Sequence, residues 1–279
     1  MPELPEVETV RKGLTRLVVG KTIATVEVFW PRIVETDDLA HFRVQLAGQT
    51  IEAVNRRGKF LIFELTDFDL ISHLRMEGKY EFFPETMPPS KHTHVIFTFT
   101  DKSQLHYRDV RKFGRFQLFS KGQSVFYSGI RKLGPEPTAE TFSLKEFAVA
   151  LKKSQKIIKP LLLDQRLVTG LGNIYVDEAL WLAKIHPERI ASSLTTSEIR
   201  QLHQAIISVL ENAIEAGGTT IRTYQNALGE VGSFQLQLHA YGQQNQPCER
   251  CGTPLKKIKV AQRGTHFCPK CQKMKGQFA

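Results

Sequence analysis

The sequence predicts an α+β chain of two domains, and three observations carry that expectation. Between residues 21 and 119 the pattern is mostly that of strands. Val95, Phe97 and Phe99 alternate with more polar neighbours, and Phe60-Leu61-Ile62-Phe63 is a short apolar run suited to a buried strand. Beyond Gly134-Pro135-Glu136-Pro137, where two prolines forbid regular pairing, the apolar spacing turns helical. All four cysteines lie in the last 32 residues, as two Cys-x-x-Cys pairs.

In chain order, residues 2–19 read as a helix. Pro and Glu crowd its first turn, where free N–H groups and the positive dipole end favour acids, and Leu4, Val7, Val10, Leu14 and Leu17 share one face. Many short strands follow, interrupted by helical spacing near residues 38–46, which suggests a sandwich or barrel. After the linker, helices are expected over residues 143–153, 160–164 and 173–183. The clearest helix spans 197–216, with a capping box at Thr195 and Glu198 and Gly217-Gly218 as its stop. Its apolar face is Ile199, Leu202, Ile206, Val209, Leu210, Ala213 and Ile214, which reads as core. Residues 219–233, with Gly229 and Gly232 and little periodicity, read as a mobile loop. The tail reads as a hairpin with strands at 256–261 and 265–267 and Arg263-Gly264 at its tip.

At 279 residues the chain can build two cores. No apolar stretch reaches the ~18 residues a membrane span requires. Acidic Glu3 and Glu6 come where a secretory leader would be basic, so no membrane and a cytoplasmic, bacterial location are expected. Lys and Arg number 38 against 28 Asp and Glu, a net charge of +10, and residues 248–279 hold eight basic residues and one acidic. A basic tail of this kind reads as a nucleic-acid contact, against the plainer reading of a solvated end.

Cys248, Cys251, Cys268 and Cys271 have the spacing of a four-thiolate zinc site, with sixteen residues between the pairs. Each pair brings two sulfurs to one side of a tight turn, and two turns complete a tetrahedron. Two disulfides are the alternative. A closed set of four sulfurs leaves no open position, so the expectation is one structural Zn2+ without chemistry of its own.

The opening Met-Pro-Glu-Leu-Pro-Glu has chemical potential. Removal of Met1 before the small Pro2 would expose a secondary α-amine with a pKa near 8, against about 10.4 for lysine. Roughly a tenth is then unprotonated at neutral pH and able to attack a sugar C1′, forming an iminium that serves as electron sink. Glu3 is placed for general acid–base work and Glu6, one turn on, to hold the amine. The same residues also read as a helix cap.

Several further stretches occur with that opening: Arg56-Arg57-Gly58-Lys59, His73-Leu74-Arg75-Met76-Glu77-Gly78, Lys91-His92-x-His94, Asp109-Val110-Arg111-Lys112-Phe113-Gly114 and Gly170-Leu171-Gly172-Asn173-Ile174-Tyr175. With the four-cysteine tail and Arg263-Gly264-Thr265, the chain resembles the formamidopyrimidine-DNA glycosylases, bacterial 8-oxoguanine glycosylases and abasic-site lyases, over nearly its whole length. The resemblance implies an N-terminal β-sandwich flanked by helices over residues 1–133 and a helical domain with a helix-two-turn-helix element and lesion loop over 134–233. A zinc-finger hairpin over 234–279 completes it. It also implies base excision repair of double-stranded DNA carrying oxidised purines or abasic sites, by a monomer.

Residue by residue, the resemblance makes Pro2 the Schiff-base nucleophile and Glu3 its proton-transfer partner. Lys59 becomes a phosphate contact and proton donor in β-elimination, and Arg263 the hairpin arginine that grips the lesion phosphates and assists δ-elimination. A hairpin arginine beside a glycine also suits bidentate phosphate contact on its own account. Asn173, opening a helix, reads as a phosphate contact, an N-cap, or both. His73, His92 and Tyr241 are further DNA contacts, and Lys152, Lys153 and Lys156 lie where backbone contacts are expected. Met76, Arg111 and Phe113 match the side chains that enter the duplex when the damaged nucleotide leaves, a hole costing a few kcal/mol; by residue type alone, Met76 and Phe113 read as core. The loop at 219–233 matches the segment that closes over the oxidised base. Two rivals stand beside this. The endonuclease VIII type prefers oxidised pyrimidines but usually reads Pro-Glu-Gly-Pro-Glu where this chain has Leu4. A zinc-ribbon DNA-binding protein without catalysis would leave Pro2-Glu3 and Lys59 as coincidences.

Overall fold

The chain folds as two units, Met1–Arg131 with Gly217–Ser233, and Lys132–Ala216 with Phe234–Ala279. The structure, a computed structural model, describes residues 1–219 and 232–274. Most of the loop expected over 219–233 therefore lies outside the described residues.

The first unit opens with helix α1 (Leu4–Val18). Pro5 sits in its first turn, where a missing N–H costs nothing. Leu4, Val7, Val10, Leu14 and Val18 form its buried face. Val18 takes the last place on that face, four residues after Leu14, and Leu17 is only partly buried against the core. One sheet runs in the order β1 (Ile23–Val28), β6 (Thr93–Phe99), β7 (Gln104–Arg108), β5 (Lys79–Phe83). The other runs β2 (Ile51–Arg57), β3 (Phe60–Leu65), β4 (Phe68–His73), β8 (Arg115–Ser120), and all pairs are antiparallel. Leu61, Phe63, Leu70 and Phe116 of one sheet share a core with Val26, Val95, Phe97 and Tyr107 of the other. Of the sandwich or barrel that the strand pattern suggests, the unit has the sandwich. In β6, however, His94 and Ile96 are buried along with the alternating Val95, Phe97 and Phe99. The strand is interior to its sheet, and His94 Nε2 is spent on the Asp109 carbonyl at 2.8 Å. Helix α2 (Leu39–Leu46) begins at Asp38, whose carboxylate accepts from His41 N–H at 2.8 Å. A short helix α3 (Ser128–Arg131), unforeseen in the sequence, ends the unit's first stretch.

The second unit is helical. Helix α4 (Leu144–Lys153) is capped by Ser143, and α7 (Thr196–Glu215) by the expected Thr195–Glu198 box. Gly217 and Gly218 after α7 both take positive φ, which glycine adopts without steric cost. The predicted apolar face of α7 is buried, apart from half-buried Ile214, and His203 joins it by stacking on Phe142 and bonding its carbonyl. Helices α5 (Ile158–Leu163) and α6 (Asn173–Leu182) are joined by two turns. The Gln165 side chain braces those turns, donating to the Leu163 and Leu171 carbonyls and accepting from Gly170 N–H. This is the helix-two-turn-helix element. Strands β9 (Lys256–Val260) and β10 (Arg263–Phe267) form the terminal hairpin. Among the described residues no helix is long and apolar enough to cross a membrane.

Candidate active site and zinc centre

At the chain's start Met1 is exposed while Pro2 is buried. Glu3, 3% exposed, is the N-cap of α1 in extended conformation, and forms a capping box with Glu6. One Glu6 oxygen accepts from Glu3 N–H at 2.7 Å; the other accepts from Thr219 N–H at 2.8 Å and the Thr219 hydroxyl at 3.0 Å. Gly218 lies so close that a Cβ there would meet Glu6 Oε1 at 2.8 Å. Glu6 thus ties the head of α1 to the segment leaving α7. The cap foreseen as the plain alternative is present, and it fixes the backbone next to Pro2.

Lys59 follows Gly58, whose positive φ turns the chain between β2 and β3. The turn is held from behind: Arg56 donates to the Gly58 carbonyl and to Glu8 of α1, each at 2.9 Å, and Arg11 pairs with the same carboxylate at 2.8 Å. Burial pushes Glu8 upward, yet Arg11 and Arg56 bring it below the usual carboxylate value. Lys59 is itself only 7% exposed. It is also one of the charges acting on His73, which burial, then Arg75, then Lys59 push down to about 3. His73 is therefore neutral near pH 7. Its Nδ1 accepts from Arg75 N–H at 2.9 Å and its ring meets Phe60 edge-on. Sequence reasoning named Lys59 and His73 separately; the fold makes them neighbours.

Met76 lies half-buried on a turn closed by Gly78 N–H to the Leu74 carbonyl. Arg111 and Phe113 are exposed on the loop between β7 and β8 of the same unit, Phe113 at 46%, with the guanidinium 4.8 Å from the ring centroid. None of the three is core, which corrects the reading from residue type. The loop's shape comes from Asp109, 1% exposed, whose carboxylate accepts from the N–H groups of Arg111, Phe113 and Gly114 at 3.0, 2.8 and 2.8 Å. Half-buried His92 receives the Asp109 N–H on its own carbonyl.

In the helical unit, Asn173 is the first residue of α6, and Gly172 is its N-cap. Asn173 Nδ2 donates to the Gly264 carbonyl at 2.9 Å, so it anchors the terminal hairpin instead of capping its own helix. Lys159 Nζ reaches the same carbonyl at 3.2 Å and pairs with Asp177 at 2.6 Å, both side chains being 0% exposed. The second Asp177 oxygen accepts from His266 N–H at 2.8 Å. Arg263 is therefore flanked by a backbone pinned from α5 and α6, and it is exposed. It does not stand at the hairpin tip: Arg263 pairs with Val260, and Ala261 and Gln262 make the turn, both at positive φ. The tip was misplaced because glycine, not alanine or glutamine, is the residue expected there. Tyr241 is half-buried against the His266 ring, and buried Glu178 accepts the backbone N–H groups of His239, Ala240 and Tyr241. Lys152 donates to the Leu194 carbonyl at 2.6 Å, while Lys153 and Lys156 are exposed. Nothing in the sequence pattern signalled Lys159 or Asp177, since an isolated charge reads as solvated.

The four cysteine sulfurs lie within 4.8 Å of one another, and none is in a disulfide. Thiolates at that separation suit a tetrahedral zinc ion with Zn–S bonds of about 2.3 Å. One structural zinc is the cofactor. Trp181 of α6 packs into the same cluster, between the Arg250 guanidinium at 3.8 Å and the parallel His239 ring at 4.6 Å.

Family models match three segments: the formamidopyrimidine-DNA glycosylase N-terminal domain over residues 1–116, its H2TH domain over 133–225, and a zinc finger found in FPG and IleRS over 245–273. The chain is 66% identical to the formamidopyrimidine-DNA glycosylase of Enterococcus faecalis, covering 99% of both chains. It is 57% identical to that of Latilactobacillus sakei, covering 98% of both. The crystal structure of Lactococcus lactis Fpg with an abasic-site-containing DNA matches with a TM-score of 0.92 at 51% identity, covering 98% of this chain and 100% of that one. The wild-type L. lactis protein with an N7-benzyl-Fapy-dG-containing DNA matches with a TM-score of 0.92 at 52% identity, with the same coverage.

Proposed function

The chain belongs to the formamidopyrimidine-DNA glycosylase family, and from that premise we propose that it is a bifunctional glycosylase and abasic-site lyase of base excision repair, acting as a monomer on oxidised purines in cytoplasmic, nucleoid DNA. With Met1 removed, the Pro2 amine attacks C1′ of the damaged nucleotide, and the bond from C1′ to the base breaks with its electron pair leaving on the base, which takes up the proton that the amine nitrogen gives up. The sugar ring opens as its oxygen takes a proton from Glu3, and C1′ becomes a Schiff base to Pro2. Loss of a C2′ proton then expels the 3′ phosphate, and a second elimination expels the 5′ phosphate, leaving a one-nucleotide gap. Lys59 donates a proton in the first elimination, and Arg263 holds the phosphates for the second. Met76, Arg111 and Phe113 fill the space the nucleotide leaves. His73, His92, Asn173 and Tyr241 contact DNA. His73 does so as a neutral imidazole, since burial and two cations oppose its charging.

The observation that carries this reading is the head of α1: buried Pro2 next to a buried Glu3 whose backbone is locked by Glu6. A nucleophile and its acid are thereby held at a fixed spacing. The test is borohydride trapping on duplex DNA containing 8-oxoguanine, with intact mass establishing the N-terminus. Processed enzyme beginning at Pro2 should form a covalent adduct, and Pro2→Gly, which keeps a primary amine, should trap far more weakly. Equal trapping by a form that retains Met1 refutes the assignment.

A further inference from the structure

Tyr107 of β7 lies beneath both turns that carry the residues assigned to the vacated space. Its side chain is 0% exposed and clamped by edge-to-face contacts with Tyr80 at 5.2 Å and Phe116 at 4.9 Å. Tyr80 is in turn fixed by its hydroxyl bond to Ser72. The ring therefore has one position, and its hydroxyl projects between Gly78 and Gly114. A Cβ on Gly78 would fall 2.1 Å from Tyr107 Oη, and one on Gly114 would fall 1.8 Å from it. Neither glycine has the positive φ that would itself demand glycine; at Gly114 the phenol tip is what excludes a side chain, and at Gly78 it does so together with the Leu74 carbonyl oxygen, 2.6 Å from where the Cβ would fall. Gly78 closes the Met76 turn, and Gly114 closes the loop that Asp109 shapes around Arg111 and Phe113.

The hydroxyl is buried and finds no hydrogen-bond partner among the described residues. Burial, and then the Asp109 carboxylate, hold the phenol well above its ordinary value, so it stays protonated. What this atom makes is contact, and the contact is with both turns.

We infer that Tyr107 is a positioning residue that couples the Met76 turn to the Arg111–Phe113 loop, so that the three side chains enter the duplex as one unit. The inference rests on the reading of Met76, Arg111 and Phe113 as the residues that fill the vacated space. Both turns rest on the same fixed phenol tip, so the place each can take against it is set jointly with the other's. Removal of the single oxygen leaves a gap at the junction and lets the turns move independently, while the ring and its clamps remain.

The test is a double-mutant cycle on single-turnover excision of 8-oxoguanine opposite cytosine, with cleavage of a preformed abasic site as control. In the Tyr107 enzyme, Met76→Ala and Arg111→Ala should be non-additive, the double variant losing roughly tenfold less than the product of the single losses. In the Tyr107→Phe background the two losses should multiply. Tyr107→Phe removes no hydrogen bond seen among the described residues, so its thermal midpoint should match the parent's and the cycle can be read. Coupling that survives in the Tyr107→Phe background overturns the inference alone. If Met76→Ala and Arg111→Ala each leave excision unchanged, the void-filling assignment falls, and the inference with it. A coupling specific to Tyr107 that appears in excision and is absent from abasic-site cleavage supports it, because only excision requires an intact pair to be opened.

Discussion

The sandwich and the helical unit hold their functional side chains by different physical means. In the sandwich, buried side chains bonded to nearby backbone and set on a large apolar core do the holding. Asp109 collects three loop N–H groups, Glu6 locks the start of α1, and a neutral His73 packs on Phe60, all around one apolar core. In the helical unit, a fully buried ion pair and a metal site are added to such contacts. Lys159 and Asp177 pair with no solvent exposure, Glu178 gathers three N–H groups near Tyr241, and four thiolates bind zinc. The reason is size. A two-stranded hairpin cannot bury enough apolar surface to fix itself, so it needs a metal and a polar anchor. The sandwich should therefore fail gradually when its site residues change, and the hairpin abruptly.

Metal removal is the severest way to test that contrast. Structural zinc contributes on the order of 10 kcal/mol or more to small folds of this kind. Chelation should abolish tight duplex binding while the sandwich keeps its β-rich circular dichroism. Trp181 sits in the zinc cluster and Trp30 against the sandwich core, so Trp30→Phe isolates a zinc-sensitive emission that should shift to the red. Full duplex affinity in metal-free protein would break the comparison. The anchor comes next. Lys159→Met leaves Asp177 buried without its cation, a loss of about 3–5 kcal/mol. Urea unfolding of the helical unit and the rate of zinc release should both respond, and a change under about 1 kcal/mol would show that the pair is dispensable.

The same contrast explains what could be read in advance. The apolar face of α7, its capping box, the two cysteine pairs and the strand-rich first half all follow from local spacing, and the structure has them. Lys159 and Asp177 are 18 positions apart, and the Gly264 carbonyl to which Lys159 also donates lies 105 positions from it. No local pattern records such a triad. The hairpin turn was missed because Ala261 and Gln262 adopt positive φ, which neither residue type advertises. Tyr107 was invisible for a related reason: an aromatic in a strand reads as core, and only the nearness of Gly78 and Gly114 shows what its tip touches.

A gentler test of the sandwich uses pH. His73 has a folded value of about 3 against an ordinary 6.5, so the unfolded chain binds the proton more readily between those limits. Its contribution to stability is fully present above pH 6.5 and is lost as pH falls, by roughly 1.4 kcal/mol per unit. Asparagine keeps an acceptor near the position of Nδ1 but does not titrate. The stability advantage of the parent over His73→Asn should therefore shrink by about 2 kcal/mol between pH 7 and pH 5, measured by urea unfolding. A difference that stays constant with pH would mean that His73 charges as easily in the fold as outside it.

The smallest expected effect isolates what a cap does when it is only a cap. Helices α1 and α7 both begin with a capping box, Glu3 with Glu6 and Thr195 with Glu198. At α7 the Thr195 hydroxyl accepts from Glu198 N–H at 3.2 Å, and the Glu198 carboxylate accepts from Thr195 N–H at 2.9 Å. Thr195→Ala deletes the first bond and keeps the second, so the cost should be about 1 kcal/mol. Borohydride trapping and excision should not change. At α1 the cap residue is also the proposed acid. Glu3→Gln keeps much of the capping geometry, so its stability cost should be no larger, yet excision should fall by roughly 10²–10⁴-fold. Measured side by side, equal stability losses with unequal activity losses separate the two uses of one local motif. If Thr195→Ala lowers trapping as far as Glu3→Gln does, loss of a helix cap is sufficient to explain both, and Glu3 has no chemistry of its own.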